Sequence, residues 1–131
     1  MHLESFRLNS KSLNFDEKSS KSLAKRFRNS FKSQAKQAEE IIAHSKDLNY
    51  PYIIAGDFNN TPYSYIYQEF SQNTIDAFTE VGSGYGKTYN FIVPVRIDYV
   101  LGHPSIKFTS YQEFKKEYSD HYPILTKFQL P

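Results

Sequence analysis

Pro51-Tyr52-Ile53-Ile54-Ala55-Gly56-Asp57-Phe58-Asn59 is the stretch on which the fold turns. A short apolar run breaks at a glycine and ends on an acid and an amide, which predicts a buried strand delivering Asp57 to a site at its end. Asp57 and Asn59 stand two apart, and an extended backbone would direct both side chains to one side. A competing structural reading makes the same Asp-x-Asn an Asx-turn ahead of Thr61-Pro62.

Upstream of this strand, Leu23, Phe27, Phe31, Ala35, Ala38 and Ile41/Ile42 recur at helical spacing and predict a long helix over 20–47. Its other faces carry Lys21, Lys25, Arg26, Arg28, Lys32 and Lys36, while Glu39 and Glu40 come late, an order opposed to the helix macrodipole. Such a face either is simply solvated or meets an anionic partner, lipid headgroup or nucleic-acid phosphate. His2 to Leu8 predicts a short opening strand, and the polar Asn9 to Ser20 a loop.

Downstream, Asn60-Thr61-Pro62 predicts a turn and helix start, with a short helix over Tyr63 to Phe70 and another over Ile75 to Val81. Gly82-Ser83-Gly84-Tyr85-Gly86 predicts a loop, because its spacing does not open a helix that would cradle a nucleotide. Val93 to Leu101, Ile106 to Phe114 and Tyr122 to Phe128 carry the β-branched and aromatic residues of three strands. Strand, long helix, strand, short helices and three strands make an α/β or α+β layered domain.

At 131 residues the chain has the size of one domain, 1–131. A formal charge of +2 permits an anionic substrate but does not suit a protein that coats DNA. There are no cysteines, so thiolate metal sites, disulfide scaffolds and cysteine nucleophiles are excluded, and any metal must take oxygen or imidazole ligands. No stretch has the length of a transmembrane span. The 11 Tyr and 11 Phe fit core filling better than a base-stacking platform.

Two more segments put chemistry beside an apolar run. Asp98 interrupts Val95-Arg96-Ile97-Asp98-Tyr99-Val100-Leu101, and a carboxylate there needs a partner. That partner is Arg96 or another buried hydrogen bond on the structural reading, and the imidazole of His121 on the functional one. Ser119-Asp120-His121 precedes the last strand and makes His121 the prime catalytic candidate. His2 more often has a structural role in such a setting, and His44 and His103 read as surface residues. Carboxylates for a divalent cation, an imidazole for proton or charge transfer and an amide for a phosphoryl oxygen are what attack on a phosphorus ester requires.

Gly56-Asp57-Phe58-Asn59, Arg96-Ile97-Asp98-Tyr99 and Ser119-Asp120-His121 occur in the order and spacing of the motifs of the endonuclease/exonuclease/phosphatase superfamily. The chain resembles that superfamily over essentially its whole length, and His2-Leu3 looks like its earlier histidine-leucine motif. The resemblance implies half of a four-layer α/β sandwich, a mainly antiparallel sheet covered by one long and one or two short helices. It further implies that Asp57 positions or deprotonates the nucleophilic water and Asn59 holds a phosphate oxygen. His121, oriented by Asp98, stabilises the transition state or protonates a group, and His2 contacts the scissile phosphate. Asp120, with Asp57 and Asn59, belongs to the metal site, for Mg²⁺ or alternatively Mn²⁺.

The early asparagine and the glutamate that is the family's principal metal ligand are not found, so the chain resembles the C-terminal half, with the N-terminal half absent. The expectations are weak Mg²⁺ binding, weak turnover and self-association through an uncovered sheet. Substrates implied by the family are phosphate esters, among them nucleic acid, phospholipid and inositol phosphate. The loop Gly82 to Val93, with Tyr85, Lys87, Tyr89 and Asn90, is expected to rim the site and carry selectivity. The alternative is a noncatalytic phosphate-, nucleic-acid- or membrane-binding module that uses the basic helix 20–47.

Overall fold

The computed structural model describes residues 1–3, 17–116 and 118–131, with backbone alone at 17–24 and 27. The expected opening strand beyond Leu3, most of the loop Asn9 to Ser20, and the side chains of Lys21, Leu23 and Phe27 lie outside the described residues. The order of elements is α1 (Glu17–Lys46), β1 (Ile53–Asp57), α2 (Tyr65–Ser71), β2 (Ile75–Asp76), α3 (Ala77–Val81), β3 (Asp98–Gly102), β4 (Lys107–Glu113) and β5 (Ile124–Gln129). They form an α/β arrangement with wholly antiparallel sheets: β1-β3-β2, and a separate pair β4-β5.

α1 begins three residues before its expected start, so an acid, Glu17, opens it, and His44 and Lys46 occupy its last turn. Both placements suit the dipole, which corrects the picture of a helix whose charges wholly oppose it. Gln34, Ala38 and Ser45 are its buried line, with Ile41 and Ile42 half-buried against the core. Phe31 departs from the expected stripe: it is 46% exposed and packs its ring near Tyr65 at 6.4 Å. Lys25, Arg26, Arg28, Lys32 and Lys36 are exposed.

The main core joins Leu3, Ala38, Phe58, Ile66, Tyr67, Phe70, Tyr99 and Leu101. Phe58 packs its ring 4.9 Å from both Phe70 and Tyr99, so part of the aromatic excess fills a core, while other rings such as Tyr63, Tyr85 and Tyr118 are exposed. Burial of a large apolar side chain such as Leu3, Phe58, Ile66, Phe70 or Leu101 stabilises the fold by about 1.5–3 kcal/mol relative to exposure. β1 is less enclosed than a buried strand: Ala55 is exposed and its neighbours are half-buried. One side of β1 pairs with β3, and among the described residues the other meets the segment 1–3 through Leu3 N–H to Asp57 O, 3.0 Å, and Asp57 N–H to Met1 O, 3.0 Å. Gly56 has φ +150, and a Cβ there would lie 1.8 Å from Met1 O. Glycine is what lets the two backbones come this close.

Three expectations are corrected. The stretch 75–81 is a two-residue strand followed by a helix, because Asp76 pairs with Leu101 and then caps α3 by accepting the Phe78 N–H at 2.9 Å. α2 begins at Tyr65, not Tyr63, because Ser64 is its N-cap and accepts the Tyr67 N–H at 3.1 Å. The strand expected from Val93 begins only at Asp98, since Ile97 and Asp98 give their N–H groups to the Thr88 hydroxyl. β4 and β5 fall where their residue types placed them, within one to two residues.

Candidate active site

The register of β1 on β3 sets Asp57 directly across from Asp98. Both side chains are largely buried, at 14% and 17% exposure, and His121 stands beside them at 32%. One ligand atom from each of Asp57, Asp98 and His121 can be chosen so that all three lie within 4.8 Å of one another. Three residues from three motifs, up to 64 positions apart in sequence, therefore meet at one strand end.

His121 Nδ1 lies 2.9 Å and 3.1 Å from the two carboxylate oxygens of Asp98, so Nδ1–H donates to Asp98 and Nε2 points elsewhere. Nε2 is 3.9 Å from Asp57 Oδ2. The same oxygen lies 3.5 Å from Nε2 of His2, which is brought in by the pairing of residues 1–3 with β1. The Tyr89 ring covers a flank of His121 with centroids 5.0 Å apart, and their backbones form a bridge. Asn90 N–H donates to Asp120 O at 2.7 Å, so the loop after the glycines does reach the site.

Burial alone would lower the pKa of His121, but the hydrogen bond and charge of Asp98, reinforced by Asp57 and Asp120, raise it on balance. Burial raises that of Asp98, against hydrogen bonds from His121 and Thr88 that favour its ionised form. The pair thus favours an imidazolium held against a carboxylate. Arg96 is not the partner of Asp98: its Nη1 donates to Asp76 at 2.5 Å, and its guanidinium lies over the rings of Phe78 and Tyr99, each 4.6 Å away.

Asn59 follows the strand in a left-handed conformation, φ 50, and its N–H donates to Asp57 Oδ1 at 2.7 Å. This is the Asx-turn of the structural reading, so the two side chains are not aligned by an extended backbone. The Asn59 amide donates to Leu3 O at 2.8 Å, leaving a second N–H on the same nitrogen. Asp120 is exposed and accepts from the Ser119 hydroxyl at 3.2 Å; it is not one of the three clustered residues. His44 is exposed, whereas His103 is half-buried, bonded to Ser105 at 2.8 Å and edge-on to Tyr52. Tyr89 was among the residues expected to rim the site, whereas Thr88 was not marked out; its only sequence signal is a position just past the glycine-rich loop.

A cleft of about 430 Å³ opens beside the cluster, lined by Gly56, Asp98, Ser119, His121 and Ile124 among others. Layered antiparallel sheets with acids and an imidazole gathered at a strand end define an α/β protein whose site is built from strand termini. The chain belongs to the endonuclease/exonuclease/phosphatase family, whose model matches residues 26–121. Members of this family are generally hydrolases, and its enzymes typically use divalent metals.

Solved structures support the fold. An endonuclease/exonuclease/phosphatase from Bacteroides vulgatus is 24% identical, with TM-score 0.67 over 76% of this chain and 45% of that one. A mannosyl-6-phosphatase from Bacteroides thetaiotaomicron is 22% identical, with TM-score 0.60 over 76% and 46%. A conserved protein of unknown function from Enterococcus faecalis is 17% identical, with TM-score 0.65 over 76% and 45%. The matched part of this chain thus spans a little under half the length of these structures. No curated protein matches the chain. Among the described residues, no helix is long and apolar enough to cross a membrane.

Proposed function

We propose that this chain carries the acid–imidazole part of a Mg²⁺-dependent site that hydrolyses phosphate esters. The observation that supports it most is the triad of proximity: His121 held by Asp98 at 2.9 Å, with Asp57 Oδ2 between the Nε2 atoms of His121 and His2. A purely structural carboxylate pair would not be set directly across two strands, where like charges repel.

The donor set suits a divalent cation that keeps several waters, as Mg²⁺ does and as Mn²⁺ can, because two carboxylates converge while the cleft stays open and His121 is committed to Asp98. Asp57 would hold the ion, with Asp120 and Asn59 contributing from beside it. When bound, such an ion supplies charge to polarise a phosphoryl oxygen and to acidify water. The protein's own groups do the rest. Asp57 Oδ2 accepts the proton of the attacking water, and the second N–H of Asn59 donates to a phosphoryl oxygen. In the imidazolium form both ring nitrogens carry protons, so His121 Nε2–H donates to charge developing on the phosphoryl group while Nδ1–H stays on Asp98. His2 adds a contact to the scissile phosphate.

The test is a panel of phosphodiesters and phosphomonoesters with Mg²⁺, sugar 6-phosphates included because a mannosyl-6-phosphatase shares the fold. It is run on the chain and on any longer natural form that contains it. His121→Ala is expected to lower hydrolysis by about 10²–10⁴-fold with substrate binding retained. Hydrolysis that survives His121→Ala unchanged, or a panel with no substrate turned over, sinks the reading.

A further inference from the structure

Thr88 is 0% exposed, and no part of the proposed chemistry uses it. It nevertheless touches every segment that builds the Asp98–His121 pair. Its hydroxyl accepts the N–H of Ile97 at 3.0 Å and of Asp98 at 3.1 Å. Its backbone N–H donates to Val95 O at 2.9 Å, and its carbonyl accepts the N–H of Tyr122 at 2.7 Å. Tyr122 directly follows His121, and Val95 lies three residues before Asp98.

We infer that Thr88 is a positioning residue for the Asp98–His121 pair: one buried side chain fixes the backbone of Asp98 while its own backbone fixes the residue after His121. The inference deepens the proposed hydrolysis and rests on the same pair being the reacting one. The chemistry of a hydroxyl explains the choice of residue. An sp³ oxygen has two acceptor lone pairs and one proton, so it can take two adjacent backbone N–H groups and still donate once. That remaining proton fits the carboxylate of Asp98, whose ionised form the Thr88 hydrogen bond favours. Valine has the same shape and offers none of these bonds. Serine offers all of them and lacks only a methyl group.

The position in the fold carries the argument further. Ile97 and Asp98 stand where β3 begins, and at this point a strand's N–H groups would ordinarily find a neighbouring strand. Here a side chain supplies both acceptors, so the start of β3 and the direction of the Asp98 carboxylate depend on one oxygen atom. Outer groups that orient reacting or metal-holding residues typically change activity by about 10–100-fold when removed.

The experiment compares Thr88→Val, Thr88→Ser and Thr88→Ala in the ¹⁵N-labelled chain. It follows the amide resonances of Ile97 and Asp98 and the Nδ1–H resonance of His121, and, where turnover is measurable, kcat and KM separately. Thr88→Ser should keep all three resonances and kcat. Thr88→Val should move the two amides toward the positions of unbonded N–H groups, broaden or shift the His121 Nδ1–H signal, and lower kcat by about 10–100-fold with KM little changed. Should Thr88→Val not fold, the Ser and Ala variants, which differ by the hydroxyl alone, decide by the same resonances. Native His121 and Asp98 signals in Thr88→Val or Thr88→Ala, or equal damage from Ser and Ala, overturn the inference. The resonances need no turnover, so a chain that hydrolyses nothing would count against the proposed function while leaving the positioning role to stand or fall on the spectra.

Discussion

Two acid–base pairs hang from the same short piece of chain. Arg96 is bonded to Asp76, both almost fully buried at 7% and 4% exposure, and Asp98 is bonded to His121 at 17% and 32%. Around the first pair both carboxylate oxygens are answered: Asp76 Oδ2 also accepts the Tyr67 hydroxyl at 2.7 Å, Oδ1 caps α3, and aromatic rings lie against the guanidinium. Around the second, Nε2 of His121 and Oδ2 of Asp57 face each other at 3.9 Å beside an open cleft. The residue types are similar in charge, and what separates a structural pair from a reactive one is whether atoms capable of bonding are left over and reachable.

The sharpest way to break this contrast is at Asp76. Asp76→Ala strands a buried guanidinium and removes a helix cap, so chemical denaturation should show a loss of about 3–5 kcal/mol. A loss below 1 kcal/mol would mean that the pair is not the internal fastener described here. Asp98→Asn should do the opposite: little change in the denaturation midpoint, but hydrolysis reduced by about 10²–10⁴-fold, because the amide cannot stabilise the imidazolium in the same orientation. Equal loss of stability from both variants would erase the distinction.

The smallest effect is electrostatic. His121 has its pKa raised above 6.5, so the folded chain binds more protons than the unfolded chain as pH climbs from that value through the folded one. The stabilisation from this proton is complete below 6.5 and is lost as pH rises across that window. An NMR titration of the His121 ring should give a midpoint above 6.5, and Asp98→Asn should bring it down. Arg96 offers no counterpart, since its pKa is raised and it stays charged throughout.

The contrast also shows where sequence is legible. Period and residue type marked α1, β1, α2, β4 and β5, because each depends on its own face meeting a core. The three acid-bearing motifs announced Asp57, Asp98 and His121, since polar residues beside apolar runs demand partners. The partner of Arg96 was not legible, because it lies 20 residues away on a strand only two residues long that propensity cannot register. The late start of β3 was equally hidden: a hydroxyl ten residues upstream of Asp98 takes N–H groups that β-propensity assigns to a neighbouring strand. The turn at Asn59 was legible in Asp-x-Asn itself, because an Asp side chain readily accepts the N–H two residues on, as it does here at 2.7 Å.

The facing of Asp57 and Asp98 across β1 and β3 has a cost for the folded state. Two carboxylates on opposing positions repel, and the charge of Asp57 adds to the raising of the Asp98 pKa, while the imidazole of His121 beside both offsets part of that repulsion. A sequence selected for durability alone would put an amide or an apolar residue at one of the two positions. The two acids therefore place a modest cost to stability on the same atoms as the proposed reactivity, small enough to leave the denaturation midpoint of Asp98→Asn little changed.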